Sequence, residues 1–362
     1  MAFERNIKSY GLGVKVSDNV KEFLKANEDI VAIPGKECLE FYYDGKPIGS
    51  VKNGQWKKFS SSYNDAVREK GLPEDFFKKQ DDYKNYYLKP SIVKNIKKGF
   101  DKKFKNQKER KAQQLIIINH QSFEPDKFSI CGMETTIPKK DLEKTTRGEK
   151  QVEIDMVAIC PAKQEILLIE YKCTKAATTR DITKSLETWD VKDENKKVIN
   201  KNIAEHFKDY LAIMEACKNR QFVCEIINAY NCLASLRGKE TKIKLEDKED
   251  VDNYINKMKI VFLFTDRKDD KSTKVELTKG LYKNVIEYIT KLEINYKYRL
   301  EEIYKDEYDK IKSFIDNFDN TLYYIASKPK EVNLNDESND ENKFVDLHKL
   351  KEHIDKKVDK KA

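Results

Sequence analysis

The chain has 362 residues, 37% charged and 39% hydrophobic, with 71 basic against 63 acidic side chains and a formal net charge of +8. That length supports one large or two modest domains around a sizeable core, and the charge favours an anionic partner only mildly, so local clustering says more than the total. No span approaches transmembrane length and the first residues lack an apolar signal core, which leads us to expect a cytoplasmic protein with no membrane partner. Seven cysteines (Cys38, Cys131, Cys160, Cys173, Cys217, Cys224 and Cys232) form no CxxC pair and read as reduced core residues rather than a zinc site or disulfide framework. HExxH, GxxxxGK[ST] and GxSxG are all absent, which narrows the enzyme classes.

Residues 1–90 read as an α+β module. A helix is expected over 18–27, capped by Ser17, followed by three short antiparallel strands and a helix near 63–70. Asp44-Gly45 and Asn53-Gly54 are hairpin-turn signals. Tyr42, Tyr43, Trp56 and Phe59 interleave with Lys46, Lys52, Lys57 and Lys58. Such a pattern suits base stacking with phosphate contact, or equally a half-buried sheet edged by soluble lysines.

The most basic stretch, 94–111, carries nine Lys/Arg against Asp101 and Glu109. It is either a solvated face or a phosphate-tracking segment, with Lys97, Lys98, Lys102 and Lys103 as the nucleic-acid-binding candidates. A helix is expected from Asn106, then a first core strand over 128–137. The string QVEIDMVAICPAKQEILLIEYKC over 151–173 reads as two strands joined by a turn at Pro161. If Cys160 pairs with Glu165, then Asp155 pairs with Glu170 and Glu153 with Lys172, which gathers three carboxylates and an ammonium on one face. Carboxylates that close repel unless a proton or cation lies between them, and a hard divalent ion with oxygen ligands is the natural occupant. The bland alternative is an amphipathic hairpin with a solvated charged face. The run ILLI leading into Glu170 argues for a buried central strand instead.

Further on, 202–218 reads as an amphipathic helix, and 221–235 is ambiguous between strand and helix. Residues 238–250 read as an exposed loop or hairpin, and 259–264 as a buried strand. A long helical pattern spans 281–325, as two helices, a coiled pair or a dimer arm, so a homodimer is possible. Residues 328–342 look like a polar linker before a basic tail. The expected division is a module over 1–90, a core over 91–280, a helical region over 281–327 and a linker and tail over 328–362.

Asp155, followed after fourteen residues by Glu170-Tyr171-Lys172, resembles the D…(D/E)-x-K signature of the PD-(D/E)xK nuclease superfamily. The string Glu153-Ile154-Asp155-Met156-Val157-Ala158 is similar to the EIDhVA strand of its Mrr-like and Holliday-junction-resolvase-like branches. The resemblance covers roughly residues 105–175. The family's usual Pro before the Asp is absent, and Ile154 stands there. It implies an α/β (α+β overall) restriction-endonuclease-like core with an N-terminal α+β module and C-terminal helices. It further implies Mg²⁺ or Mn²⁺ held by Asp155, Glu170 and the main-chain carbonyl of Tyr171, with Lys172 catalytic. A glutamate on the preceding helix, Glu109 by order, would help, with Glu134 or Glu153 as rivals. The implied activity is metal-dependent endonuclease cleavage of nucleic acid, DNA before RNA, in defence against foreign DNA. The other readings are a catalytically dead nucleic-acid-binding protein on the same fold, or an effector nuclease regulated through residues 1–90.

Overall fold

The computed structural model describes residues 18–35, 38–52, 55–59, 94, 97–98, 108–138, 151–173, 220–240, 243–245, 248–265, 321–326 and 329–335. They form an α+β arrangement with two sheets. Helix α1 (Asp18–Ala26) precedes a four-stranded antiparallel sheet of β1 (Val31–Pro34), β2 (Leu39–Tyr43), β3 (Lys46–Lys52) and β4 (Gln55–Phe59) in sequential order. Four strands stand where three were expected. The helix expected at 63–70, and those at 202–218 and 281–320, lie outside the described residues.

Helix α2 (Lys108–Asn119) leads into a five-stranded sheet of order β5-β6-β7-β8-β9. Its members are β5 (Ser129–Pro138), β6 (Gln151–Cys160), β7 (Glu165–Lys172), β8 (Lys259–Thr265) and β9 (Thr321–Ala326). The first three are antiparallel neighbours, whereas β7, β8 and β9 run parallel. Parallel strands are covered on both faces, and here Ile166, Leu168, Ile260 and Phe262 are as buried as Leu167, Ile169, Val261 and Leu263. The latter four share a cluster with Ile116 and Ile117 of α2 and Val31, Ile33 and Tyr42 of the N-terminal sheet. The N-terminal sheet is therefore part of the wall of the main core. Helices α3 (Gln221–Leu236) and α4 (Lys248–Asn256) also pack on this sheet, α3 on β5 and β6 and α4 on β7.

Two expectations are corrected. The helical pattern over 281–325 ends differently, because 321–326 is strand β9, paired with β8. The segment Thr-Leu-Tyr-Tyr-Ile-Ala is rich in strand-favouring side chains, and pairing with a buried neighbour overrides helical spacing. The polar linker over 328–342 is docked over 329–335, where a 3₁₀ turn (Pro329–Glu331) is followed by buried Val332 and Leu334. Helix α3 resolves the ambiguity at 221–235, and α4 begins inside the stretch read as an exposed loop.

Helix α2 is the piece that joins these layers. The β2–β3 turn puts Asp44 at φ 50° and Gly45 at φ 75°, the two left-handed residues of a type I′ hairpin. Gly45 N–H donates to Gln114 Oε1 at 2.6 Å, Gln114 Nε2 donates to the Asp29 carbonyl at 2.8 Å, and Lys111 pairs with Asp44 at 2.7 Å. A Cβ at Gly45 would lie 2.5 Å from Arg110 Cβ and 2.6 Å from its carbonyl carbon, so the turn rests directly on helix backbone. At the other end of α2, buried His120 donates from Nδ1 to the Ile116 carbonyl at 2.8 Å and accepts the Leu334 N–H on Nε2 at 2.9 Å. That pairing fixes a neutral imidazole.

Two tests follow from these contacts. Gly45→Ala is expected to destabilise the fold by about 2 kcal/mol or more, through a strained left-handed alanine and a backbone clash. An unchanged urea midpoint would contradict the close approach. Burial holds the His120 pKa below the ordinary 6.5, despite the opposing hydrogen bond to Ile116. The unfolded chain therefore takes up this proton first as pH falls, and stability drops below pH 6.5. In H120Q, which does not titrate, that part of the slope should vanish.

Candidate functional site

The β6–β7 hairpin turns at 161–164, and its ladder runs Cys160↔Glu165, Ile159↔Ile166, Ala158↔Leu167, Val157↔Leu168 and Met156↔Ile169. This is the register expected from the sequence, as far as the ladder goes. Beyond Met156 and Ile169 the strands part. β6 stays with β5, through Ile154↔Thr135 to Gln151↔Pro138, while β7 stays with β8, through Glu170↔Phe262 to Lys172↔Phe264. The expected Glu153↔Lys172 pair therefore does not form. Glu153 lies opposite Thr136 and is exposed, because β6 here stays paired with β5.

Asp155, Glu170 and Lys172 stand where the strands separate. Asp155 Oδ2 accepts the Tyr171 N–H at 2.8 Å, a carboxylate in the place where an antiparallel ladder would have continued. Lys172 Nζ forms an ion pair with Glu170 Oε1 and lies 4.0 Å from Asp155 Oδ2. The Glu170 side chain is fully buried, and those of Lys172 and Asp155 retain 12% and 21% exposure, so the cluster opens outward through Asp155. Apolar neighbours build this site: four buried residues, Ile166 to Ile169, carry β7 through the core and deliver Glu170 to its edge.

The charges are unequal. Burial first, then the Glu170 and Glu109 charges, push the Asp155 carboxyl well above the usual carboxylate range, against the pull of Lys172 and the Tyr171 N–H. Burial alone would lower the Lys172 pKa, but Glu170, Asp155 and Glu109 outweigh it and hold the ammonium firmly protonated. Glu109, in the first turn of α2, thus acts on both groups through space. Of the three glutamates considered in the sequence, Glu109 is the one whose field reaches Asp155 and Lys172.

Glu134 goes elsewhere. It sits on β5 between Met133↔Met156 and Thr135↔Ile154, across from Asp155, but at φ 46°. Its carboxylate pairs with Arg110 Nε at 2.6 Å. Glu134, a rival for the metal-site glutamate in the sequence, is here an ion-pair partner of Arg110, and Arg110 does not stand out in the sequence beyond a Lys-Glu-Arg-Lys run at the start of α2.

Tyr171 divides its roles. Its ring is buried and its hydroxyl meets Thr265 Oγ1 at 2.6 Å, while its N–H faces Asp155. In an extended strand the N–H and C=O of one residue face the same neighbour, so the Tyr171 carbonyl shares the Asp155 side of β7. Mg²⁺ commonly takes one or two protein carboxylates, with water and substrate phosphate completing its shell. Two carboxylates and a carbonyl are a donor set of that kind. Among the described residues no group of three or more His, Cys, Asp or Glu side chains is placed to hold a metal ion.

The basic stretch is only partly visible. Lys97 Nζ pairs with Asp29 Oδ1 at 2.5 Å, donates to Asn27 Oδ1 at 3.0 Å and lies 5.5 Å from the centre of the Tyr43 ring. It anchors the N-terminal layer, which leaves Lys98 as the exposed candidate. Lys102 and Lys103 lie outside the described residues. The six described cysteines are free thiols, four of them buried. No helix among the described residues is long and apolar enough to cross a membrane.

Comparison with protein-family models, with curated proteins and with solved structures returned no match.

The raised Asp155 pKa carries a sign. The folded protein holds this proton more tightly than the unfolded chain, so its stabilising effect is present below about 3.8 and is lost as pH rises through the folded pKa. Near neutral pH, D155N should therefore melt higher than the wild type without added metal, since Asn Oδ1 keeps the Tyr171 hydrogen bond. A lower melting temperature at pH 7, with none of this pH dependence removed, would show that the charge is well compensated in place.

Proposed function

We propose that this chain is a divalent-metal-dependent endonuclease with a PD-(D/E)xK core, acting on DNA. What carries the reading is the parting of β6 and β7 at Asp155, Glu170 and Lys172, which sets two carboxylates and an ammonium at a fork between two central strands, with Asp155 the most exposed of the three. Asp155, Glu170 and the Tyr171 carbonyl would hold Mg²⁺ or Mn²⁺. A bound divalent cation supplies Lewis-acid activation and charge neutralisation at the scissile phosphate.

The chain's own groups set the rest. Lys172 stays protonated between Glu170 and Asp155, so it acts as a donor and point charge toward a phosphate oxygen or the attacking water, not as a base. Glu170 fixes the ammonium through their ion pair, and buried side chains on both sides of the strand hold Glu170. Asp155, the most exposed of the three, is the group that meets substrate and solvent. Glu109 adds negative field from α2, which draws positive charge to the carboxylates. A role in defence against foreign DNA rests on the resemblance to Mrr-like proteins.

A second reading has its own support. The Lys172–Glu170 pair already neutralises one carboxylate internally, as a nucleic-acid-binding protein without chemistry would allow. Supercoiled plasmid, linear duplex and single strands incubated with Mg²⁺, Mn²⁺ or EDTA separate the two. The expected result is metal-dependent cleavage, lowered at least ~10²-fold in D155N, E170Q and K172A with the fold retained. Binding without turnover in every metal would establish the second reading, and wild-type cutting by K172A would remove Lys172 from the mechanism.

A further inference from the structure

Arg110 stands one residue beyond Glu109 in the first turns of α2 and is 43% exposed. Its Nε is engaged by Glu134, a residue held in a left-handed conformation directly across the sheet from Asp155. The Nη groups, four further N–H donors, make no hydrogen bond or ion pair among the described residues. From beneath, the Gly45 turn presses on Arg110 itself, which leaves this part of the helix little freedom to shift.

We propose that Arg110 is a substrate-binding residue that grips a backbone phosphate beside the Asp155–Glu170–Lys172 cluster, with Glu134 as the residue that aims its guanidinium. This deepens the nuclease reading and rests on it. Three independent constraints converge. Nε is tied down while the fork is left outward, the geometry that presents paired N–H donors to a phosphate. The helix backbone is fixed by the β2–β3 turn through the Gln114 and Lys111 contacts. Glu134, which engages Arg110 Nε, lies on β5 between the Met133↔Met156 and Thr135↔Ile154 pairs, which places the ion pair one strand away from the Asp155 position of β6. A glutamate twisted out of regular strand geometry is a local strain that ordinary sheet pairing does not require. Here its effect is to turn the carboxylate from the Asp155 row toward the arginine. The cluster itself is acidic, so a polyanion needs a cation at its border other than the buried Lys172.

The test measures binding apart from cleavage, using a labelled duplex oligonucleotide in EDTA across a salt series, followed by steady-state cleavage in Mg²⁺. R110A should bind roughly tenfold or more weakly, as expected for loss of a charged hydrogen bond. Its slope of log affinity against log salt should be shallower by about one. In turnover, KM should rise much more than kcat falls. R110K keeps a point charge and should recover most of the salt slope but only part of the affinity. E134Q should keep the salt slope and raise KM, because the charge remains while its aim is lost. The double variant R110A/E134Q removes both partners and guards against misfolding from an unpaired, part-buried carboxylate. Wild-type affinity and slope in R110A or in the double variant would overturn this proposal alone and leave Arg110–Glu134 as a structural ion pair. Failure of the wild type to bind or cut any nucleic acid would overturn the nuclease reading together with it.

Discussion

The hydrogen bond from the Tyr171 N–H to Asp155 Oδ2 is the contact on which the rest of the site depends. Two strands that leave a shared ladder for different neighbours expose unpaired backbone at the fork, and buried backbone groups demand partners. A carboxylate can supply one only by coming close to the main chain of the next strand, which brings it against Glu170. The repulsion that follows is relieved in part by Lys172, two residues on and on the same face of β7. Strand divergence, carboxylate proximity and the trapped ammonium are therefore one arrangement.

Around that fork, the molecule is built to keep α2 still. The N-terminal sheet grips the start of the helix through its β2–β3 turn, and the docked 329–335 segment grips the end through His120. Arg237, after α3, reaches the carbonyls of Leu24 and Ile30 and the Gln121 side chain, binding the same layers from a third direction. The parts of the chain farthest apart in sequence thus converge on the helix that carries Glu109 and Arg110. An N-terminal layer in this position shares the main core, since Val31, Ile33 and Tyr42 pack with Ile116 and Met133.

Much of the central hairpin was legible because its information is local. Pro161 marks the turn, and the alternation of Asp155, Val157 and Ile159 against Ile166, Leu168 and Glu170 allows one register that keeps the apolar side chains inside. The point where pairing stops was not legible, because it depends on competition from β5 and β8, strands whose claims on β6 and β7 are not written in the hairpin. Glu153 was misplaced for that reason. Residues 321–326 were absorbed into a helical pattern because a short apolar run fits either period, and only the vacancy beside β8 decides it. Lys97 sat in a basic stretch that suggested phosphate contact, yet its partners Asn27 and Asp29 lie about 70 residues away, beyond any local pattern. The ion pair of Glu134 with Arg110 carries no signature at all: a left-handed glutamate looks like any other in sequence.

The central claim is that the fork between β6 and β7 is a divalent-cation site, and calorimetric titration with Mg²⁺ at neutral pH addresses it without assuming a substrate. The account predicts saturable binding to the wild type and its loss in the D155N/E170Q double variant. Equal Mg²⁺ affinity in wild type and double variant, or no saturable binding by a folded wild-type protein, would contradict it.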